Sequence, residues 1–406
     1  MSANPNQRNE HLIVVLDIGG ASTRMLVADI VEDALRYRGH AIVASSGMRR
    51  GLIGELAPAA KAVKAALEGA EKSSRLNIES CVVGIGGPHI KGLNTCDGIT
   101  LGSRMREINR EDVRAAQERA RAIERPADRE ILHLLPRQYI LDGQPGIFDP
   151  VGMVGAQLLA DMHIATCSGS ARQSVITCAN RAGVEVTEVV MESLAAAEAV
   201  LSADERELGV CLLDIGAHST DLIVYFEGAV VHTASIPIGG QLFTNDVAVG
   251  LQLPIQQAEE IKRLYGHTVV TAVPQHAEIE IANPAPHMLR LRTVAEILEP
   301  RARELFYYVK ESLRQGGVLE ALGSGCVLTG GGSLLPGILE VAEDQLRVSA
   351  RSGLPVRLPG LPADLVQPNL AVAVGMLLYS KRMQGAEEDV DRSLRGRLRS
   401  LLSPGF

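Results

Sequence analysis

The chain has 406 residues, is 46% hydrophobic and carries a formal net charge of −8, which allows two or three domains around a sizeable core. That apolar share excludes a disordered polymer, and the acidic balance argues against nucleic-acid binding. Six cysteines without a CxxC pair, among them Cys81, Cys211 and Cys326 in apolar runs, suit reduced core thiols in a reducing cytosol. The N-terminus is polar through His11 with no signal peptide, and no uncharged apolar run approaches a membrane span.

In chain order, an apolar strand Leu12–Leu16 leads into an Asp-x-Gly turn and further strands to about Ser46. In that turn Gly19 and Gly20 let an anion approach the backbone, and Ser22 and Thr23 add hydroxyl donors. Asp17 ends the strand where a carboxylate could hold Mg2+ through water. A helix over Ala57–Glu71 and a buried strand over 80–86 follow, an alternation that indicates a sheet packed on helices. Residues 87–163 read as an insertion: strand 89–101, helix 109–124, strands 130–141 and 156–167. Asn109 is its expected N-cap, with Glu111 and Asp112 in the first turn. Arginines from Arg104 to Arg129 alternate with acids there, which describes a solvated helix and not a phosphate-binding stripe. Helices are expected over Ser168–Ala182 and Ser193–Leu201.

Residues 213–224 then repeat residues 16–27 at a constant offset (214 − 17 = 197), with Leu, Asp, Ile, Gly, Ser, Thr and Val recurring in place. The second copy supplies Asp214, Gly216, Ala217, His218, Ser219 and Thr220. Each copy alone is compatible with an ordinary hairpin, since Asp and Gly are common turn residues. The pair, half a chain apart, implies two similar lobes holding a polyphosphate and Mg2+ between their turns.

Ile236–Gly240 precedes a helix expected near Phe243, and Ile255–Tyr265 is helical with Glu259, Lys262 and Arg263 on adjacent faces. Residues 266–292 read as irregular or strand-like. A helix over Thr293–Gln315 contains Pro300, where a break or kink is expected. Near the end, the apolar strand at Val327 runs into Gly330, Gly331 and Gly332, then a helix that Ser333 would cap. Such backbone offers a flat surface for a purine and ribose, although a turn that needs glycine for packing reads the same. No GK[ST], GxGxxG, HExxH or GxSxG motif and no zinc-spaced Cys/His set accompanies it. After a polar linker, Val390, Leu394, Leu398, Leu401 and Leu402 fall on one helical face. Arg392, Arg395, Arg397 and Arg399 decorate the rest, the pattern of a helix bound to an anionic membrane surface. A helix docked on its own domain, or a short coiled coil, is the alternative.

Two phosphate-type hairpins and a glycine-rich segment in this order resemble the actin-like ATPase superfamily, and within it the bacterial cell-division FtsA family. Asp204–Cys211, Asn180–Val184, Thr329–Gly332 and Glu299-Pro300-Arg301 carry that likeness. The insertion, with His133–Tyr139 and Asp149–Gly152, resembles the domain this family carries in place of an actin subdomain. The implied fold is α/β: an actin-like two-lobed ATPase fold with duplicated sheet-and-helix cores, an inserted small α+β subdomain and a C-terminal amphipathic helix. The lobes would comprise 1–86 with 164–203, and 204–240 with 316–380. The insertion is 87–163, the outer subdomain 241–315, the linker 381–388 and the membrane helix 389–406.

The resemblance further implies ATP and Mg2+ as ligands. The nucleotide would touch Gly19, Gly20, Ala21, Ser22, Thr23, Gly216, Ala217, His218, Ser219, Thr220, Gly239, Gly240, Glu259, Lys262, Arg263 and Gly330 to Ser333. Glu192 resembles the acid that positions water in related filament ATPases, and it equally suits a local cap or pair. The implied role is to tether FtsZ filaments by their C-terminal tail to the cytoplasmic face of the inner membrane at the division septum. Self-association into filaments and recruitment of later division proteins through residues 87–163 go with it. Arg301 would take the acidic tail bidentately, or form a surface pair with Glu299 or Glu304. Three departures stand out: Gly216-Ala217-His218-Ser219 replaces Gly-Gly-Gly-Thr, the tail has no Trp, and the first loop lacks a lysine. Arg24 lies near that loop, at a strand position expected to point away. A pilus-assembly actin homologue and a sugar-kinase-like enzyme are the alternatives, and the basic tail weighs against both.

Overall fold

The computed structural model describes residues 12–102, 104–282 and 286–385. The tail residues Val390, Arg392, Leu394, Arg395, Leu398, Arg399, Leu401 and Leu402, and with them the expected amphipathic helix, lie outside that range.

Two five-stranded sheets repeat one topology. The first runs in the order Glu185–Met191, Ser80–Ile85, Leu12–Ile18, Ser22–Val31, Ala34–Ala44. The second runs Ala350–Ser352, Cys326–Thr329, Val210–Ile215, Thr220–Phe226, Ala229–Ile236. In both, an antiparallel meander is extended by parallel strands, with Val15 opposite Val82 in one and Leu212 opposite Val327 in the other. Val210–Ile215 is buried along its whole length, as expected of a central strand covered on both faces.

Strand alternation divides the cores. Leu213, Ile215, Leu222 and Val224 pack with the helices Gly240–Leu251, Leu291–Gln315 and Ile338–Leu346. Val210, Leu212, Ile223 and Tyr225 join the core of the first sheet instead. The helix Glu192–Val200, Leu370 at the end of a 3-10 turn, and the core residues between Ala371 and Tyr379 of a helix over 371–385 fill that shared core. The helix Leu56–Ser74 covers the first sheet with Ala59, Ala62, Val63, Ala66, Leu67 and Ala70, spaced by three and four.

The insertion has its own antiparallel sheet, ordered Gln144–Ile147, Arg129–Leu141, Gln157–Ser168, Lys91–Thr100. Its helix is Arg110–Arg121, and Asn109 caps it as expected: its Oδ1 accepts from Glu111 and Asp112 N, and Asp112 bonds back to Asn109 N. The helix stops at Arg121, short of 124, because Ala122 leaves helical geometry (ψ 52°). Arg129 braces the base of the insertion through the carbonyls of His89 and Thr166, and the first-lobe Met191 N donates to His133 Nε2 of the insertion at 3.0 Å. His163 Nε2 pairs with Thr233 Oγ1 at 2.9 Å, and Asn94 donates to Val231 O. The insertion therefore touches both lobes.

Three expectations need correction. No break occurs at Pro300: the helix Leu291–Gln315 is continuous across it, since eight buried side chains along one face outweigh one missing N–H. Ser333 does not cap a helix, because a 3-10 turn Gly331–Leu334 intervenes and Gly337 stands at the N-cap of Ile338–Leu346. The Ser333 hydroxyl instead donates to Gly330 O at 2.8 Å. The helix expected near Phe243 begins earlier, at Gly240.

Candidate functional site

The two hairpins face each other across a cleft of about 1400 Å³. Their turns close identically: Gly19 N donates to Ser22 O at 3.1 Å, and Gly216 N to Ser219 O at 2.9 Å. Ladder partners match as well, with Ile18 opposite Thr23 and Ile215 opposite Thr220. The repeat in sequence is a repeat in geometry.

Asp17, Gly19, Gly20, Ala21 and Ser22 line the cleft from the first hairpin, and Asp214, Gly216, Ala217, His218 and Ser219 from the second. Glu192, Gly240, Glu259, Lys262, Arg263, Gly330, Gly331 and Gly332 complete the sequence-derived set found there. Thr23, Thr220, Gly239 and Ser333 are not part of that lining. Thr23 and Thr220 are fully buried, one bonded to Ser45 Oγ and the other to Ile238 O. Alternation along a strand turns them away from the cleft. Gly239 packs its Cα on the Ala217 backbone, where a Cβ would meet atoms at 2.7 Å.

The glycine-rich turn does two things. Gly330 (φ +81°) and Gly332 are packing glycines, since a Cβ would stand 2.2 Å from Asp214 Oδ1 in one and 2.3 Å from Ile215 Cγ2 in the other. Gly331 faces open space, its nearest neighbour being Asn369 Cβ at 3.9 Å. Bare backbone is thus presented at a strand end, beside the second hairpin. Opposite, Lys262 Nζ donates to Gly240 O, Thr244 Oγ1 and Glu259 Oε2 at 3.0, 2.8 and 2.6 Å, which fixes the ammonium at the wall.

Carboxylates dominate the floor. Asp17, Asp214 and Asp221 are almost wholly buried. Burial first, then the charges of Asp221 and Asp17, push Asp214 up to about 7. Glu192 is raised well above the usual carboxylate range by burial and by Asp17, Asp221 and Asp214, with Arg24 opposing. Arg24 does not point away: Nη1 donates to Asp17 Oδ2 at 2.6 Å inside the cleft. Glu192 and Asp221 flank Gly86, where a Cβ would stand 2.3 Å from Glu192 Oε2 and 3.0 Å from Asp221 Oδ2.

Asp221, Gly86 and Gly87 are site residues the sequence reading missed. Asp221 accepts from Gly87 N and from Ser219 Oγ. A signal existed: Asp221 holds the place in the second hairpin that Arg24 holds in the first (221 − 24 = 197). Gly86-Gly87 ends a buried strand in the topological position of Gly330-Gly331. Arg301 lies outside the cleft lining. Its guanidinium grips Asp246 through Nε and Nη2 at 2.6 and 3.0 Å and also pairs with Glu304. Glu299 turns instead to Val270 N and Arg303.

Comparison with known proteins gives a consistent picture. The family described as "Cell division protein FtsA" matches residues 211–375, and the "SHS2 domain inserted in FTSA" matches residues 87–166. The cell division protein FtsA of Pseudomonas aeruginosa is 37% identical over 377 residues, 92% of this chain and 90% of that protein. Among solved structures, a PilM–PilN type IV pilus biogenesis complex matches with TM-score 0.64 at 20% identity, over 92% of this chain and 98% of that one. MreB5 of Spiroplasma citri bound to ADP matches with TM-score 0.55 at 14% identity, over 93% and 99%. At those identities the two structures speak for the fold alone, which is the two-lobed actin-like one.

Proposed function

The chain belongs to the cell division protein FtsA family, and on that premise we propose that it is an ATP-binding scaffold that anchors FtsZ filaments to the membrane. The observation that carries the nucleotide half is the pair of equivalent hairpins facing across one cleft, with the bare backbone of Gly331 beside them. Residues of the two turns would hold the phosphates by backbone amides and the hydroxyls of Ser22 and Ser219. Gly331 with the Gly240–Lys262 wall would take the nucleoside. Asp17 and Asp214 would hold a hydrated Mg2+ through its waters, which supplies counter-charge to the phosphates and relieves the crowding of carboxylates beneath them. The ADP complex of MreB5 supports the same use of this fold.

The membrane half rests on the pattern of Val390, Leu394, Leu398, Leu401 and Leu402 with Arg392, Arg395 and Arg399. Five aliphatic side chains at about 1.5–3 kcal/mol each are an upper bound for a half-buried helix, and ordering it costs part of that. Self-association into filaments supplies the remaining affinity by avidity. Among the described residues no helix is long and apolar enough to cross a membrane, so the attachment proposed is peripheral, on the cytoplasmic face of the inner membrane at the septum. Arg301 would meet the FtsZ tail, and the insertion would meet later division proteins. Pilus-assembly and sugar-kinase roles lose ground to family membership at 37% identity across the chain.

Equilibrium binding of Mg-ATP to the full chain tests the nucleotide half. K262A should weaken binding by about tenfold, the loss of one charge-assisted contact. Equal binding by K262A would remove that wall from the site.

A further inference from the structure

The second hairpin carries an imidazole where its twin carries a methyl group. His218 corresponds to Ala21 (218 − 197 = 21), and Ala217 to Gly20. The His218 ring reaches the opposite turn and lies on Gly20: a Cβ there would stand 2.1 Å from His218 Nδ1 and 2.8 Å from Cε1. Gly20 is therefore a glycine that admits this ring. The imidazole lines the cleft together with Ser22 and Ser219 of the two turns.

Nδ1 is buried and has no hydrogen-bond partner among the described residues. A buried polar nitrogen left so is desolvated without compensation, and such atoms in native proteins call for a partner of their own. Carboxylates share the cleft: Asp17, held by Arg24, on the facing hairpin, Asp214 and Asp221 on its own, and Glu192. None of them bonds to the ring, and burial alone sets its basicity, below that of a free histidine.

We propose that His218 is a phosphate ligand, donating a ring N–H to an oxygen of the polyphosphate held between the two turns and gaining a proton as that anion binds. The assignment rests on the nucleotide reading of the cleft and adds to it a side-chain contact that the other turn lacks. The chemistry is directional. A neutral ring keeps one N–H for the oxyanion, and the adjacent negative charge raises its affinity for a second proton. Binding then tightens as pH falls through the interval between the free and bound ring pKa values. Asp214 is also raised from the ordinary carboxylate range, and its protonation would work in the opposite sense by weakening the hold on Mg2+. A comparison with a variant that lacks only the ring cancels that contribution.

The test is calorimetric titration of the full chain with Mg-ATP at about pH 6.5 and about pH 8, on the wild type, H218Q and H218N, with melting temperatures as the check on folding. The ratio of affinities at the lower and higher pH should exceed that of H218Q by about fivefold, roughly half a proton's linkage over this range, a full proton giving about thirtyfold. Proton uptake, read from buffers of different ionisation heat, should fall in both variants. Equal ratios and equal uptake in the three folded proteins would overturn the assignment of His218 while the nucleotide reading stands. A wild-type chain that binds no Mg-ATP at either pH would overturn both.

Discussion

Glu192 stands over Gly86 with three aspartates around it and one arginine already committed to Asp17. Its proton is held because ionisation there would add another negative charge to a poorly solvated floor. The raised pKa has a definite sign for stability. Below the ordinary carboxylate range folded and unfolded chains are both protonated; as pH rises, only the unfolded state releases its proton freely, and stability falls. E192Q should therefore melt higher than wild type at about pH 8 without ligand, by a few degrees for about 1 kcal/mol, and no differently near pH 4. Thermal scans at the two pH values check this, and identical melting at both would mean the carboxyl is solvated. At this scale the repeat made most of the hairpin residues legible, because seven identities recur at one spacing. Arg24 and Asp221 were not, since which carboxylate an arginine meets is decided by the facing strand. Thr23 and Thr220 were misplaced by reading hydroxyls as donors without following the alternation of the strand.

The long helix Leu291–Gln315 shows how tertiary burial overrides local preference. Pro300 costs about 3 kcal/mol relative to alanine in a helix interior, whereas burying one leucine or phenylalanine returns about 1.5–3 kcal/mol. Leu298, Leu305, Phe306, Val309 and Leu313 are all fully buried on this helix, so continuity wins. Most helix positions were legible from periodicity, and their ends fell within a few residues; the helices Ala203–Leu208 and 371–385, the latter running into the expected linker 381–388, were not foreseen, nor was the cap that replaced Ser333, because a 3-10 turn leaves no hydrophobic period. On the exposed side of the same helix, Arg301 is already clamped by Asp246 and Glu304. An acidic tail peptide docking at Arg301, as proposed, would have to displace those partners, so its affinity would be set by competition. D246N should tighten binding of the FtsZ tail peptide about threefold, and R301A should weaken it about tenfold, in line with loss of a bidentate charged contact. Fluorescence anisotropy with a labelled peptide measures both; a D246N variant that binds no better, or an R301A variant that binds as well, would move the peptide site elsewhere.

As a whole the molecule is a duplicated sheet with one addition. The matched strand orders and the offset of 197 residues describe the same duplication at two levels. The sharing of one core between the first sheet and one face of the second was hidden, because a buried strand reads alike whichever lobe covers it. The insertion's contact with both lobes was hidden too, since His163, Asn94 and Thr233 meet only after three separate segments fold. The helix over 371–385 begins in that shared core and is the last described part of the chain; whether the proposed anchor beyond it carries FtsZ to a membrane is a question for experiment. The direct test is flotation of anionic vesicles with ATP and purified FtsZ, comparing the full chain with one ending at Ala386. The account predicts that the full chain carries FtsZ into the lipid fraction and the shortened chain leaves it behind. FtsZ carried equally by both, or a full chain that floats without FtsZ, would contradict it.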